Sequence, residues 1–147
     1  MTLALKLLTA LNPYGPQLIE DPGFDNAARW TLTGGAWSIA DSKATFGNSG
    51  TDYIVPKTAV ALVADTVYEV GFTIVGATEG VNAARLALFN QAATVNYFTA
   101  YINYTTNGPK VVRFRASTAS TNIRIYATAG AAAFSLENYS IRRRAGL

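Results

Sequence analysis

The chain has 147 residues, of which 50% are hydrophobic and 14% are charged, and 12 basic against 9 acidic residues give a net charge of +3. This length fits one domain with one hydrophobic core, and the composition is too apolar for a disordered chain. The small positive charge is only weak support for nucleic-acid binding. Because cysteine and histidine are both absent, the sequence excludes disulfides, thiol nucleophiles, the commonest zinc ligand and the commonest general base.

The first residues form a leucine-rich segment with helical spacing. Its apolar stripe consists of Leu3, Leu7, Leu8 and Leu11. Pro13 would end such a helix, and Lys6 interrupts the apolar run, so we interpret residues 1–16 as an arm and not as a signal peptide. A helix this short is unstable alone in water, so it either frays or packs on its own domain or on another chain. No run reaches the roughly 18 apolar residues of a membrane-spanning helix, and no membrane partner is expected.

The rest of the chain, residues 17–147, is predicted to be one antiparallel β-sandwich. The predicted strands are Trp30–Thr33, Ala36–Ile39, Lys43–Phe46, Tyr53–Val55, Val67–Val75, Arg85–Phe89, Tyr97–Tyr104, Val111–Ala116, Asn122–Thr128 and Phe134–Arg142. Hydrophobic residues alternate with period two along them, and turn residues recur between them, which is typical of an all-β sandwich. Gly34-Gly35 between the first two strands predicts a two-residue hairpin.

The last predicted strand changes the phase of its hydrophobic residues. Phe134 and Leu136 occupy even positions, whereas Tyr139 and Ile141 occupy odd ones. A strict alternation cannot bury all four side chains. A β-bulge is therefore predicted near Glu137-Asn138.

The order of several short motifs resembles jelly-roll carbohydrate-binding modules. The motifs are Leu18-Ile19, Pro22-Gly23-Phe24-Asp25, Trp30-Thr31-Leu32, Gly34-Gly35-Ala36-Trp37-Ser38-Ile39, Lys43-Ala44-Thr45, Thr66-Val67-Tyr68-Glu69-Val70 and Phe134-Ser135-Leu136-Glu137-Asn138-Tyr139-Ser140-Ile141. Related domains recur in bacteriophage tail and capsid proteins. The resemblance implies a jelly-roll of the carbohydrate-binding-module or galactose-binding-like kind, with Trp30 and Trp37 in its core.

The resemblance also bears on metal binding. In sugar-binding members a structural calcium often lies near the joined N- and C-terminal strands, held by acidic side chains and carbonyls. Asp25 matches an acidic position of the family, but Glu137 replaces the usual aspartate, and only Glu20 and Asp21 are further carboxylate donors. We therefore expect no cofactor, with a structural calcium as the one alternative.

Four residues are candidates for ligand binding. Tyr97, Tyr101 and Asn103 share one parity of a predicted strand, and Tyr126 falls on an outward position of another. Exposed aromatic faces with amides nearby bind sugar rings, so these side chains predict a sugar-binding platform. Ordinary surface tyrosines of a sheet are the alternative interpretation.

The positions of the arginines in the sequence predict one basic face on the sandwich. Arg113, Arg115 and Arg124 fall on outward positions of predicted neighbouring strands, and Arg142-Arg143-Arg144 end the last strand. Such a face either discourages strand aggregation or binds an acidic partner surface. Aromatic and basic residues do not interleave as they do in proteins that bind single-stranded nucleic acid, so no nucleic-acid partner is expected.

The sequence predicts no catalytic site. Glu20, Asp21 and Asp25 lie together in one entry loop and not on facing strands of a cleft, so they do not form the carboxylate pair of a glycosidase. We predict a non-enzymatic bacteriophage virion protein, either a capsid decoration, head-fibre or tail-associated subunit, located in the virion with other virion proteins as partners. It would form a homotrimer through Leu3, Leu7, Leu8 and Leu11. The alternative hypothesis is a carbohydrate-binding module for host-surface or polysaccharide recognition, and both rest on a fold-level analogy.

Overall fold

Two antiparallel β-sheets pack face to face in the computed structural model, which describes residues 13–47, 50–80, 84–128 and 133–145. The predicted all-β sandwich is thus confirmed. The residues of this described part include no helix that is long and apolar enough to cross a membrane.

The described chain contains eleven strands and one short 3₁₀ turn, Ala27–Arg29. The strands are β1 (Tyr14–Gln17), β2 (Trp30–Leu32), β3 (Trp37–Ala40), β4 (Lys43–Phe46), β5 (Thr51–Pro56), β6 (Val67–Val75), β7 (Ala84–Asn90), β8 (Ile102–Tyr104), β9 (Gly108–Arg115), β10 (Ile123–Thr128) and β11 (Phe134–Arg144). The six-stranded sheet has the order β3-β4-β11-β6-β9, and β1 also pairs with β11. The five-stranded sheet has the order β2-β5-β10-β7-β8. From β4 to β7, each strand lies in the sheet opposite to its predecessor, as jelly-roll connections require.

The chain crosses between the two sheets at Gly34-Gly35, so the hairpin predicted there is wrong. β2 pairs with β5 in one sheet, and β3 pairs with β4 in the other. Both glycines have positive φ, 82° and 137°, as a tight turn requires. The carboxylate of Asp52 in β5 accepts hydrogen bonds from the backbone N–H groups of Gly35 (2.9 Å) and Ala36 (3.2 Å). This buried side chain fixes the crossover.

The core lies between the sheets and is built by alternation along the strands. In β6 the side chains of Tyr68, Val70, Phe72 and Ile74 are buried, as predicted. The five-stranded sheet contributes Ile54, Leu86, Leu88, Ile123 and Ile125 to the same core. Trp30 and Trp37 are also buried, as the family resemblance implied. Full burial of one large apolar side chain contributes about 1.5–3 kcal/mol, so this layer dominates the stability of the sandwich.

The β-bulge predicted in the last strand is present. Glu137 pairs with Thr73 of β6 while Ser140 pairs with Gly71, so three steps along β11 oppose two steps along β6. Asn138 provides the extra residue and adopts a left-handed backbone conformation, with φ of 52°. The bulge buries all four apolar residues of the strand, Phe134, Leu136, Tyr139 and Ile141.

Strand β1 joins the start of the sandwich to its end. Tyr14 pairs with Arg144, and the carbonyl of Pro13 accepts a hydrogen bond of 2.8 Å from the backbone N–H of Ala145. Residues 14–16, which the sequence assigned to the arm, therefore belong to the sheet. The four leucines of the arm, Leu3, Leu7, Leu8 and Leu11, lie outside the described residues. Their helix and their role in assembly stay predictions.

Candidate functional site

The outward face of the five-stranded sheet carries four neighbouring aromatic side chains, which we call the aromatic row. The row consists of Tyr53 on β5, Tyr126 on β10, Phe89 on β7 and Tyr101 just before β8. The ring centroid of Tyr126 lies 4.8 Å from that of Tyr53 and 4.9 Å from that of Phe89. The centroids of Phe89 and Tyr101 are 6.3 Å apart. The row thus spans three adjacent strands and the loop that leads to a fourth.

Strand alternation places the row outside the core. In β10, Ile123 and Ile125 point into the core, so Arg124 and Tyr126 point outward. Ala87 lies directly opposite Tyr126 in the pairing of β10 with β7, also outward, yet it is fully buried. The row therefore forms a thin second apolar layer over the sheet. Ring pairs at these distances add about 0.5–1.5 kcal/mol each, so the four rings stabilise one another in this arrangement.

An arginine lies at each end of the row. The guanidinium carbon of Arg124 is 4.6 Å from the ring centroid of Tyr53, and its Nη1 lies 3.5 Å from the hydroxyl of Tyr126. The guanidinium carbon of Arg85 is 5.4 Å from the ring centroid of Tyr101. These are cation–π distances. Exposed Asn103 pairs with Arg85 across β8 and β7, so its amide adds a donor and an acceptor to this end.

Three of the four predicted ligand-binding residues meet on this face, and the fourth does not. Tyr101, Asn103 and Tyr126 belong to the row or its edge, whereas Tyr97 is buried in the core. The hydroxyl of Tyr97 donates to the carbonyl of Thr118 at 3.2 Å, so neither its ring nor its phenol is open to a ligand.

Tyr97 differs because the predicted strand Tyr97–Tyr104 does not exist over its full length. The Asn90 side chain accepts hydrogen bonds from the backbone N–H groups of Thr94 (2.8 Å) and Val95 (3.0 Å), which bends the chain into a turn. Ala93 and Thr99 have positive φ, 57° and 64°. After an isolated bridge between Asn96 and Phe89, a continuous strand begins only at β8. The spacing of four between Tyr97 and Tyr101 therefore carries no information about a shared face.

Sequence reasoning missed Tyr53, Phe89 and Arg85. Arg85, Ala87 and Phe89 lie on the same side of β7. The charge of Arg85 was the sequence signal that this side of the strand faces outward. Tyr53 falls in a predicted strand of three residues, which is too short for its alternation to assign a face.

The predicted basic face is wrong, because its arginines lie on opposite sides of the sandwich. Arg113 and Arg115 are outward on β9 of the six-stranded sheet, whereas Arg124 is outward on the five-stranded sheet. On the six-stranded side, Glu69 accepts a hydrogen bond of 2.8 Å from Arg113 Nε and lies 3.7 Å from Arg144. Burial works to raise the pKa of Glu69, but hydrogen bonds from Arg113 and a tyrosine, with the charges of both arginines, hold it below its ordinary value.

The carboxylates that the resemblance offered for calcium are engaged with protein groups. Glu20 pairs with Arg29, Asp21 accepts a hydrogen bond of 3.0 Å from the indole N–H of Trp30, and Glu137 lies 3.4 Å from Lys43. Asp25 accepts a hydrogen bond of 2.6 Å from Ser42. In the part of the chain that the structure describes, no three acidic side chains are grouped so that they could hold a metal ion.

The sequence matches no protein-family model, and no curated protein is similar enough to count as a relative. Solved structures are similar in fold. The CBM22-1 and GH10 modules of Clostridium thermocellum xylanase 10B, complexed with xylohexaose, align with a TM-score of 0.59 at 13% identity over 89% of this chain, which spans 29% of that one.

Two single-domain structures align over nearly their full lengths. The N-terminal cellulose-binding domain of Cellulomonas fimi β-1,4-glucanase C aligns with a TM-score of 0.58 at 15% identity, over 84% of this chain and 93% of that one. The CBM22-1 xylan-binding domain of Paenibacillus barcinonensis Xyn10C aligns with a TM-score of 0.53 at 14% identity, over 90% and 97%. The fold is therefore a jelly-roll of the carbohydrate-binding-module kind.

Proposed function

We propose that the protein binds a carbohydrate chain on the aromatic row. The observation that carries this proposal is the outward position of Tyr53, Phe89, Tyr101 and Tyr126 side by side on one sheet face. The apolar faces of sugar rings stack on aromatic side chains, and phenol, amide and guanidinium groups bond their hydroxyls. Burial, with a smaller effect of Tyr126, raises the pKa of Tyr101 although Arg85 opposes the shift, so its phenol stays protonated and able to donate.

The neighbouring structures support this proposal through the ligands they name, which are xylohexaose, cellulose and xylan. At 13–15% identity they share only the fold with this chain, so the binding of any glycan here is part of the proposal. We also propose that the protein is not an enzyme, because the row and its edge present no carboxylate pair for sugar hydrolysis.

The virion role has less support than the carbohydrate-binding alternative. The neighbours named above are carbohydrate-binding modules, and no observation on the described residues favours a capsid or tail subunit. The virion location, the virion partners and the homotrimer stay predictions that depend on the leucine arm.

A glycan array tests the proposal. We expect the protein to bind a restricted set of plant or bacterial polysaccharide fragments, and Tyr126→Ala to weaken that binding by about tenfold or more, since central tyrosines often contribute most of an interface. Tyr14→Ala is the matched control, because Tyr14 lies on β1 in the other sheet. Equal loss in both variants, or no selective binding by the native protein, would contradict the proposal.

A further inference from the structure

Within the described chain, the two arginines of the row have no acidic partner. None of the ion pairs among the described residues includes Arg85 or Arg124. Arg85 lies over the ring of Tyr101, and Arg124 lies over the ring of Tyr53 with its Nη1 3.5 Å from the hydroxyl of Tyr126. Both cations therefore remain available to a ligand.

The described strands of the five-stranded sheet present no carboxylate on their outward face. Asp52 is the one acidic residue within the strands of this sheet as the structure describes them, and its carboxylate turns to the crossover at Gly35 and Ala36. The outward face of the six-stranded sheet differs, because Glu69 there forms ion pairs with Arg113 and Arg144. Neutral sugar sites commonly use carboxylates to accept bonds from hydroxyls, so a face with arginines and no acid favours a ligand that brings its own negative charge.

Arg124 is already held in position to receive such a group. Its guanidinium stacks on Tyr53, and its Nη1 lies 3.5 Å from the hydroxyl of Tyr126. Its Nε is buried, so the side chain is held on the sheet before any ligand binds. The planar guanidinium fork matches the paired oxygens of a carboxylate or a sulfate.

The positions of the two arginines set the length of the ligand. Arg124 pairs with Phe89 on β7, and Arg85 lies four residues earlier on the same strand. At roughly 3.3 Å per residue, the two positions are about 13 Å apart along the strands. One sugar cannot reach both sites, so the ligand is an extended chain with repeated charges.

We propose, as a deeper form of the proposed function and resting on it, that the ligand of the aromatic row is an anionic polysaccharide. Its uronate carboxylates or sulfate esters would bind Arg85 and Arg124, while its rings stack along the row between them.

Four polymers test this inference by titration against the purified protein. The probes are polygalacturonate, the same polymer with its carboxyl groups methyl-esterified, dextran sulfate and a single-stranded oligothymidylate. We expect at least about tenfold tighter binding of polygalacturonate or dextran sulfate than of the esterified polymer, and the tighter of the two identifies a carboxylate or a sulfate as the source of charge.

Matched variants separate the site from the overall positive charge of the protein. Arg85→Gln with Arg124→Gln should weaken binding of the preferred anionic polymer by about a hundredfold, roughly tenfold for each arginine, and weaken binding of the esterified polymer at least about tenfold less than that. Arg142→Gln with Arg143→Gln removes the same charge from β11, where both side chains are exposed, and should change binding less than about twofold. Equal effects of the two pairs would overturn the inference, because binding would then follow net charge alone.

The remaining outcomes distinguish this inference from the proposed function. If Tyr126→Ala weakens binding of esterified and charged polymers alike and the arginine pair has no effect, carbohydrate binding stands and the anionic ligand is wrong. If Tyr126→Ala has no effect on any polymer that binds, the proposed function fails as well. Preferential binding of the oligothymidylate, or of none of the four polymers, would also overturn the inference.

Discussion

At the crossover between the sheets, the carboxylate of Asp52 lies directly against the backbone of Gly34. Gly34 has φ of 82°, and a β-carbon there would overlap the Asp52 carboxylate. The same carboxylate accepts from the backbone N–H of Gly35, Ala36 and Tyr53. Any side chain at Gly34 must therefore displace the group that satisfies these three donors.

Gly34→Ala should lower the free energy of unfolding by about 3 kcal/mol or more, because it adds positive-φ strain to the loss of buried hydrogen bonds. Gly76→Ala is the matched control, since Gly76 also has positive φ (68°) but has open space where the β-carbon would lie. It should cost only about 1–2 kcal/mol. Urea denaturation of both variants measures the difference, and equal losses would show that Asp52 moves aside without cost.

At the scale of single residues, the sequence predicted which side chains suit ligand binding better than it predicted where they lie in the fold. Tyr101, Asn103 and Tyr126 were recognised as candidates because alternation shows which residues share a side of a strand. Tyr97 was misplaced because alternation holds only while the chain stays extended, and the turn made by the Asn90 side chain depends on contacts that a period of two cannot show. Arg124 was assigned to the wrong face because parity separates inward from outward but does not say which sheet a strand joins.

The bulge in β11 is the element whose sequence signal was clearest. The phase change between Leu136 and Tyr139 demanded one extra residue, and Asn138 supplies it, in a left-handed conformation that asparagine tolerates better than most residues. The phase change is a local signal, so it could be predicted without knowing the topology. The crossover at Gly34-Gly35 could not, because its glycines suit a hairpin and a crossover equally well.

Deletion of Asn138 should be tolerated better than deletion of Ser140, although both shorten β11 by one residue. Without Asn138 the strand alternates regularly, and all four apolar side chains still face the core. Without Ser140, either Tyr139 or Ile141 must turn outward. We expect the Ser140 deletion to be less stable by about 3 kcal/mol, which urea denaturation of the two variants checks. Similar stabilities would mean that the bulge is not what buries these residues.

At the scale of the whole molecule, the open question is assembly through the leucine arm. The predicted trimer requires that the stripe of Leu3, Leu7, Leu8 and Leu11 bury against a neighbouring chain. Because β1 begins at Tyr14, a truncation that tests the arm must start at Pro13, so that the sheet stays intact.

Sedimentation of three forms should separate arm and sandwich. We expect the full chain to be a trimer, and both the chain that starts at Pro13 and the full chain with serine at Leu3, Leu7, Leu8 and Leu11 to be monomers. The serine variant controls for the presence of the arm, since only its apolar stripe is removed. A monomeric full chain, or three forms of one oligomeric state, would show that the arm does not drive assembly.

The pairing of β1 with β11 also decides how the domain responds to force. Pro13 and Ala145 are joined by a backbone hydrogen bond, and the two strands run antiparallel from that point. Tension applied through the chain on both sides of the sandwich would therefore pull this pair apart one hydrogen bond at a time, starting at its open end. A load that enters through β1 alone would also cross this pair, because β1 is joined to the sheet through β11.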